Sequence, residues 1–243
     1  MTIRNTDFSK MAIKRLLIIL FVLINYIGFS QAKLNDIDFN LIPQRKIKEF
    51  IKMQINRNQI YFDDIKASCN NKKDIQGFYY QEKQFIINDN ISKVWHGYLY
   101  ANPSYSWQGD ILSFGMLLSK KSNTITYKNQ NYRGIELGQV FYVNLRLWHG
   151  IYNLAAVFEL TDIDSEKHKI EFSYINGNIT QGKQIIEFKA IDKHKTLITH
   201  YSFFKSQSAF RDKFLYPFFH SRVVNEFHKN MNQLIKNDLK IKE

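Results

Sequence analysis

The sequence is poor in the residues that staple or interrupt small folds. A single cysteine, Cys69, stands among 243 residues, so no internal disulfide can form and the fold must rest on its packed core. Only three prolines and ten glycines are present, which argues against long disordered linkers. Metal-ligand spacing is missing as well: the seven histidines include no H-E-x-x-H pair and have no cysteine partner nearby. The chain has no nucleophile elbow, phosphate-binding glycine loop or EF-hand, and no internal repeat. The sequence therefore assigns no catalytic residue, no metal and no cofactor. Acidic residues are few, 22 against 34 Lys and Arg, for a net charge of +12. The lysines are nevertheless scattered singly, with Arg45-Lys46-Ile47-Lys48 the one dense run before the basic tail. Nucleic-acid proteins concentrate charge on one face or along a motif, so no nucleic-acid partner is expected. A solvated, lysine-rich surface accounts for the excess, and peripheral contact with an anionic membrane surface stays open.

What the chain does have is aromatic bulk, 20 Phe and 14 Tyr, a composition suited to strands and large buried surfaces. It also has an N-terminal export pattern. In "MAIKRLLIILFVLINYIGFSQA" the basic pair Lys14-Arg15 precedes an apolar run over 16–24, and Ser30 and Ala32 occupy the −3 and −1 positions of a cleavage site. That order is a secretory signal peptide, and its apolar core is short for a membrane span. Residues 1–32 hold Arg4, Lys10, Lys14, Arg15 and Asp7, so cleavage lowers the charge from +12 to +9. The expected destination is the periplasm or the exterior. Residues 33–76 read as an N-terminal helical extension, with Ile47, Phe50, Ile51 and Ile55 at helical spacing and the polar "CNNKKD" at its end. Residues 237–243 are a polar tail.

Between these lies a run of short strands. Residues 77–87 form the first, and "NDNISKVWHGYLYANPSYSW" follows as a capped helix ended by Pro103. In 140–147, Phe141, Val143, Leu145 and Leu147 alternate with Tyr142, Asn144 and Arg146. Similar one-sided alternation over 154–161, 170–175, 184–191 and 196–204 predicts an antiparallel meander with one wet face. Asn176-Gly177 supplies the hairpin signal. The gaps are too short for the crossovers a parallel sheet needs. After Pro217, the stripe Val224, Phe227, Met231 and Leu234/Ile235 predicts one long amphipathic helix. A curved sheet cannot bury its apolar concave face alone, and the last helix covers it. Where the sheet curls away from that helix, a cavity remains.

Three stretches carry a family resemblance: "INDNISKVWHGYLYANPSYSW", "FSYINGNITQGKQIIEFKAID" followed by "KTLITHYSF", and the terminal amphipathic helix. Over residues 77–236 the chain resembles the START-like, polyketide-cyclase-like (helix-grip) superfamily. The resemblance implies an α+β helix-grip fold: a curved antiparallel sheet of about six to seven strands around a long C-terminal helix, with short helices after strand one. It further implies a deep apolar pocket for a lipid, sterol, polyketide or similar ligand.

The candidate cavity lining is Trp95, Trp107, Phe141, Tyr174, Phe188, His200, Val224 and Phe227. His200 stands mid-strand beside Ile198, where a titratable group can face the cavity. His168 and His194 fall in polar turns, and His220 and His228, eight apart on the last helix, read as surface residues. Tyr142 and Arg146 share a strand face and could hold a head group if that face is the inner one, but the alternation makes it the outer one. Three functional readings follow: an exported, non-catalytic binder of an apolar or lipid-like molecule; a cyclase- or dehydratase-like enzyme using polar groups around His200 or Tyr142; and an envelope protein whose cavity is filled by its own side chains.

Overall fold

A computed structural model of the chain describes residues 31–69 and 75–238. The export signal expected over 1–32 lies outside the described residues except for its last two positions, as do 70–74 of the polar loop and 239–243 of the tail.

Eight strands form one antiparallel sheet: β1 (Tyr79–Ile87), β2 (Leu112–Ser119), β3 (Thr124–Tyr127), β4 (Gln139–Leu147), β5 (Tyr152–Asp164), β6 (Lys169–Tyr174), β7 (Gln181–Asp192) and β8 (Lys195–Lys205). Their spatial order is β1-β8-β7-β6-β5-β4-β2-β3, so the first strand closes one edge beside the last. The count exceeds the expected six to seven because the short β3 extends the other edge. Among the described residues four α-helices accompany the sheet: α1 (Arg45–Asn56), α2 (Ile91–Tyr100), α3 (Pro103–Ser106) and α4 (Tyr216–Lys236).

Local chemistry explains the boundaries. Asn90 caps α2 by accepting a bond from the Lys93 amide at 2.9 Å. Pro103 does not merely end that helix. It opens α3, where its missing N–H costs nothing, and Asn102 caps the turn by accepting from the Ser104 amide. Asn176-Gly177 does turn the chain, with Gly177 at φ +98°, but the hairpin is wider than two residues. Ile175 bridges to Ala67, and the Asn176 amide donates to the Lys66 carbonyl at 2.8 Å. The whole loop 175–180 is therefore held by the N-terminal segment.

Each face of the sheet has its own core. On the concave face, Phe141, Val143, Phe158, Phe172, Ile186 and Ile198 pack with Val94 and Trp95 of α2 and with Phe227, Met231 and Ile235 of α4. The expectation of a wet opposite face fails over β2, β4 and β5. There Met116, Leu118, Val140, Tyr142 and Val157 are covered by Leu34, Ile42, Ile47, Ile51 and Ile65 from the N-terminal segment. Polar contacts fix this second layer. The Tyr142 hydroxyl donates to Gln54 Oε1 at 2.8 Å, and Gln44 Nε2 donates to Ser113 Oγ and the Phe114 carbonyl at 2.9 and 2.8 Å. Cys69 is also buried, with its backbone amide on Ser173 Oγ at 3.0 Å.

β2 is buried along its entire length because it lies between these two layers. Its register shifts between Phe114 and Met116, which makes Gly115 the extra residue of a bulge. The bulge lets Phe114 and Leu117 face the concave core while Met116 and Leu118 face the second layer. A Cβ on Gly115 would collide with Ile47 Cδ1, so glycine here also allows α1 to approach the sheet.

Polar clamps seat α4. Glu226 accepts bonds from the amides of Asp110, Ile111 and Leu112, the last two at 2.9 and 2.8 Å. Asn230 Nδ2 donates to the carbonyls of Ser106 and Gln108 at 3.1 and 2.8 Å. Arg146 donates to the Gly109 and Leu112 carbonyls and so braces the same loop. It is not part of a cavity.

Ile51 is fully buried between α1 and the sheet. Ile51→Ala is expected to lower unfolding free energy by about 2–5 kcal/mol, the usual cost of emptying such a site. Urea titration followed by tryptophan fluorescence checks this. A change below about 0.5 kcal/mol would mean that the N-terminal layer is not part of the core.

Candidate functional site

The N-terminal half of α4 stands off the sheet and leaves a cavity of about 340 Å³. Val143, Leu145 and Leu147 of β4, Ala156 and Phe158 of β5, and Phe172 of β6 form its floor. Tyr216, Phe219, His220, Val223, Val224 and Phe227 form its roof, and Trp107 lies at the inner end, stacked on Phe227 with ring centroids 4.2 Å apart. The space is not plugged by the chain's own aromatics.

Of the residues expected to line the cavity, Trp107, Tyr174, His200, Val224 and Phe227 do so. Trp95, Phe141 and Phe188 do not. Trp95 and Phe188 meet edge to face at 5.4 Å beneath α2, and Phe141 stacks on Phe158 at 5.4 Å. All three belong to the solid core at the seated end of α4. Strand alternation shows which face a side chain takes but not where along that face the helix lifts away.

The rim is apolar and exposed. Trp148, Tyr152 and Ile179 line the cavity and are about half exposed, and Trp148 meets Phe219 edge to face at 4.8 Å. Trp148, His149 and Gly150 all have positive φ, 47°, 57° and 86°. Two consecutive non-glycine residues in this region cost of order 1–3 kcal/mol each, and the reversal brings the indole over the opening. Asn178 ties the adjoining loop to β5: its Oδ1 accepts from the Val157 amide and its Nδ2 donates to the Val157 carbonyl at 2.7 Å.

A chain of hydrogen bonds crosses from the solid core to the cavity. Tyr98 Oη meets His228 Nδ1 at 2.6 Å, and His228 Nε2 meets His200 Nδ1 at 2.9 Å. His200 Nε2 meets Gln184 Oε1 at 2.7 Å, Gln184 Nε2 donates to Tyr174 Oη at 3.1 Å, and Tyr174 Oη lies 2.9 Å from Tyr216 Oη. The direction follows from burial. Tyr98 is 6% exposed and the network gives its hydroxyl only His228, so its proton must point there to be satisfied. Each group accepts from the one before as far as Tyr174 Oη, and the Tyr174–Tyr216 pair, in which either hydroxyl can donate to the other, keeps one proton to offer the cavity that both residues line.

His220 and His228 are thus not surface residues; they are 7% and 2% exposed. The Pro217 carbonyl can only accept, which orients Gln81 so that Nε2 donates to it and to Ser221 Oγ. Gln81 Oε1 therefore accepts from His220 Nδ1 at 3.0 Å. His220 lines the cavity, and its Nε2 is left as a bare lone pair, buried and without a partner. Burial holds His220 and His228 down to about 3, assisted at His220 by the Lys83 charge. Burial, then the neighbouring His228 and His220, pushes His200 well below its ordinary value. All three are neutral in ordinary buffers.

Arg211, in the π-helical turn Arg211–Leu215 that leads into α4, also lines the cavity. Its Nη2 donates to Thr180 Oγ1 at 2.6 Å, while Nη1 is buried without a partner. Sequence reading missed Arg211, Tyr216, His220 and Gln184 as site residues. Tyr216 and His220 precede Val224 at helical steps of four, and that spacing alone could have found them. Among the described residues no His, Cys, Asp and Glu cluster could hold a metal ion, and no helix is long and apolar enough to cross a membrane.

No protein-family model matches the chain, and no curated protein matches its sequence. Solved structures do match. A point mutant of norcoclaurine synthase from Thalictrum flavum, bound to a transition-state analogue, aligns with TM-score 0.51 and 10% identity, over 66% of this chain and 95% of that one. A START superfamily protein from Mycobacterium smegmatis aligns with TM-score 0.46 and 7% identity, over 65% and 97%. Identity this low speaks to fold alone.

The buried histidines give a pH signature. An unfolded histidine titrates near 6.5, so between about 6.5 and 3 only the unfolded chain gains protons at His220 and His228. Stability is full above pH 6.5 and falls with acidification by up to about 1.4 kcal/mol per pH unit for each such histidine. Urea unfolding at pH 7, 6 and 5 is expected to show this slope, reduced in His228→Gln; an unreduced slope would place its origin elsewhere. With its eight-stranded sheet, its long closing helix and the space between them, the chain has the START-like helix-grip fold.

Proposed function

We propose that this chain is an exported, non-catalytic binding protein that holds an apolar or amphiphilic, lipid-like molecule between the sheet and α4. The observation that carries the reading is the cavity of about 340 Å³ with its aliphatic and aromatic lining, of a size and character typical of small-molecule sites. Burial of an apolar body there gains roughly 25 cal/mol for each Å² removed from water. The half-exposed rim of Trp148, Tyr152 and Ile179 supports entry of such a molecule, since exposed apolar groups around an opening mark binding surfaces. The export pattern of residues 1–32 supports a periplasmic or extracellular setting.

Native mass spectrometry of protein purified from its natural host is expected to show extra mass, released as an extractable apolar compound. The same spectrum is expected to give a polypeptide beginning at Lys33. Ala156→Trp, which fills the cavity from β5, should abolish uptake of an apolar fluorescent probe with the circular dichroism spectrum unchanged. Bare polypeptide together with no probe uptake by the unaltered protein would overturn the container reading. A mass retaining residues 1–32 would overturn cleavage.

One feature favours a second reading. The neutral lone pair on His220 and the polarised chain through His200 are the groups an acid–base enzyme of the cyclase or dehydratase kind needs, and norcoclaurine synthase, by its name, is an enzyme. On that reading His200→Ala abolishes turnover of a candidate substrate while leaving uptake intact. Equal turnover in both proteins would remove His200 from the chemistry.

A further inference from the structure

We propose that the cavity has a built head-group end, and that its occupant is an anionic amphiphile carrying a hydroxyl beside a carboxylate. The inference rests on the container reading above and adds to it the polarity of the cargo. Three groups of known hydrogen-bonding sense line the same cavity. Arg211 brings a buried Nη1 with no partner, its other arm fixed on Thr180 Oγ1 at 2.6 Å. The Tyr174–Tyr216 pair brings the one proton left over at the end of the Tyr98–His228–His200–Gln184 chain. His220 brings a lone pair, because its Nδ1 proton is committed to Gln81. Tyr216 and His220 stack with centroids 4.8 Å apart; burial raises both Tyr174 and Tyr216 above the ordinary phenol value and keeps them protonated, with the Arg211 charge offsetting a small part of that.

Orphaned polar atoms in a packed interior are costly, 1–3 kcal/mol for a neutral group and more for a charged one, so Nη1 of Arg211 and Nε2 of His220 each call for a partner. Among the described residues no carboxylate lies within ion-pair distance of Arg211. Neighbouring Asp212 is buried; its Oδ2 accepts from the Ser206 amide at 2.7 Å, and its Oδ1 has no hydrogen-bond partner. Two donors, one of them cationic, match the two oxygens of a carboxylate. The bare histidine nitrogen repels those oxygens and instead takes a proton from a hydroxyl on the same molecule. A plain alcohol leaves the guanidinium unanswered, and a plain acid leaves the imidazole unanswered. The aliphatic floor of Val143, Leu145 and Ala156 then takes the apolar body.

The test uses three ten-carbon probes, 3-hydroxydecanoic acid, decanoic acid and 1-decanol, each competing against the uncharged fluorescent probe N-phenyl-1-naphthylamine on the purified protein. The hydroxy acid is expected to bind about tenfold or more tighter than decanoic acid, and decanoic acid about tenfold tighter than decanol, the scale of one charge-assisted hydrogen bond. Arg211→Gln should erase the advantage of both acids over the alcohol. His220→Phe keeps an aromatic ring against Tyr216 and should erase only the advantage of the hydroxy acid over decanoic acid. Naphthylamine binding by each variant reports that fold and cavity persist. Equal affinities for the three probes, with naphthylamine still bound, would overturn the head-group site and leave the container standing. Failure of every probe to bind the unaltered protein would overturn both.

Discussion

The structure depends on how α4 is seated. Its C-terminal half is drawn onto the concave face by Phe227, Met231 and Ile235, and Glu226 and Asn230 fasten it to the backbone of the loop after α3. The N-terminal half is held instead toward β1 and β8, where Gln81 donates to the Pro217 carbonyl and Ser221 Oγ and Tyr216 stacks on Phe204, and it leaves β4 and β5 uncovered. There the helix presents Tyr216, His220 and Val224 to open space. A helix bound along its full length would leave a filled core, and one bound nowhere would leave the sheet wet. The half-seated helix produces solid packing at one end and a cavity at the other, and everything inferred about function follows from that asymmetry.

The polar chain is best understood as a consequence of the same geometry. Burying six polar side chains between sheet and helix costs heavily unless each finds a partner. The sequence supplies matched donors and acceptors through the interior, from Tyr98 on α2 to Tyr216 at the head of α4. Among the residues lining the cavity the accounting stays open at two buried atoms, Arg211 Nη1 and His220 Nε2. A chain that satisfies its buried polar groups elsewhere in this network and leaves two facing one space has a polar pole there.

Much of the framework was legible in the sequence. The alternation of Phe141, Val143 and Leu145 against Tyr142 placed both faces of β4, and the stripe Val224, Phe227 and Met231 placed α4 and its buried side. Period-2 and period-3.6 patterns carry that information. Other features were not legible because they are set by residues far apart in the chain. His220 and His228 lie at helical steps of four from Val224, but nothing local in the sequence shows their partners Gln81, Tyr98 and His200, which are brought in from β1, α2 and β8. Arg211 has no local pattern at all. Trp95 and Phe188 have the right character for a cavity wall, but their depth depends on where the helix touches down. Over β2, β4 and β5 the expected wet face is dry because the covering side chains belong to a segment that reads as a separate extension.

That second layer has a mechanical consequence. With Ile47 and Ile51 pressed against Met116, Tyr142 and Val157 from behind, the strands forming the cavity floor are packed on both sides, and close-packed interiors deform little. The back wall cannot breathe outward to admit a guest. Whatever motion lets a molecule in must come from the front, where the left-handed turn of Trp148 and His149 faces the first turns of α4.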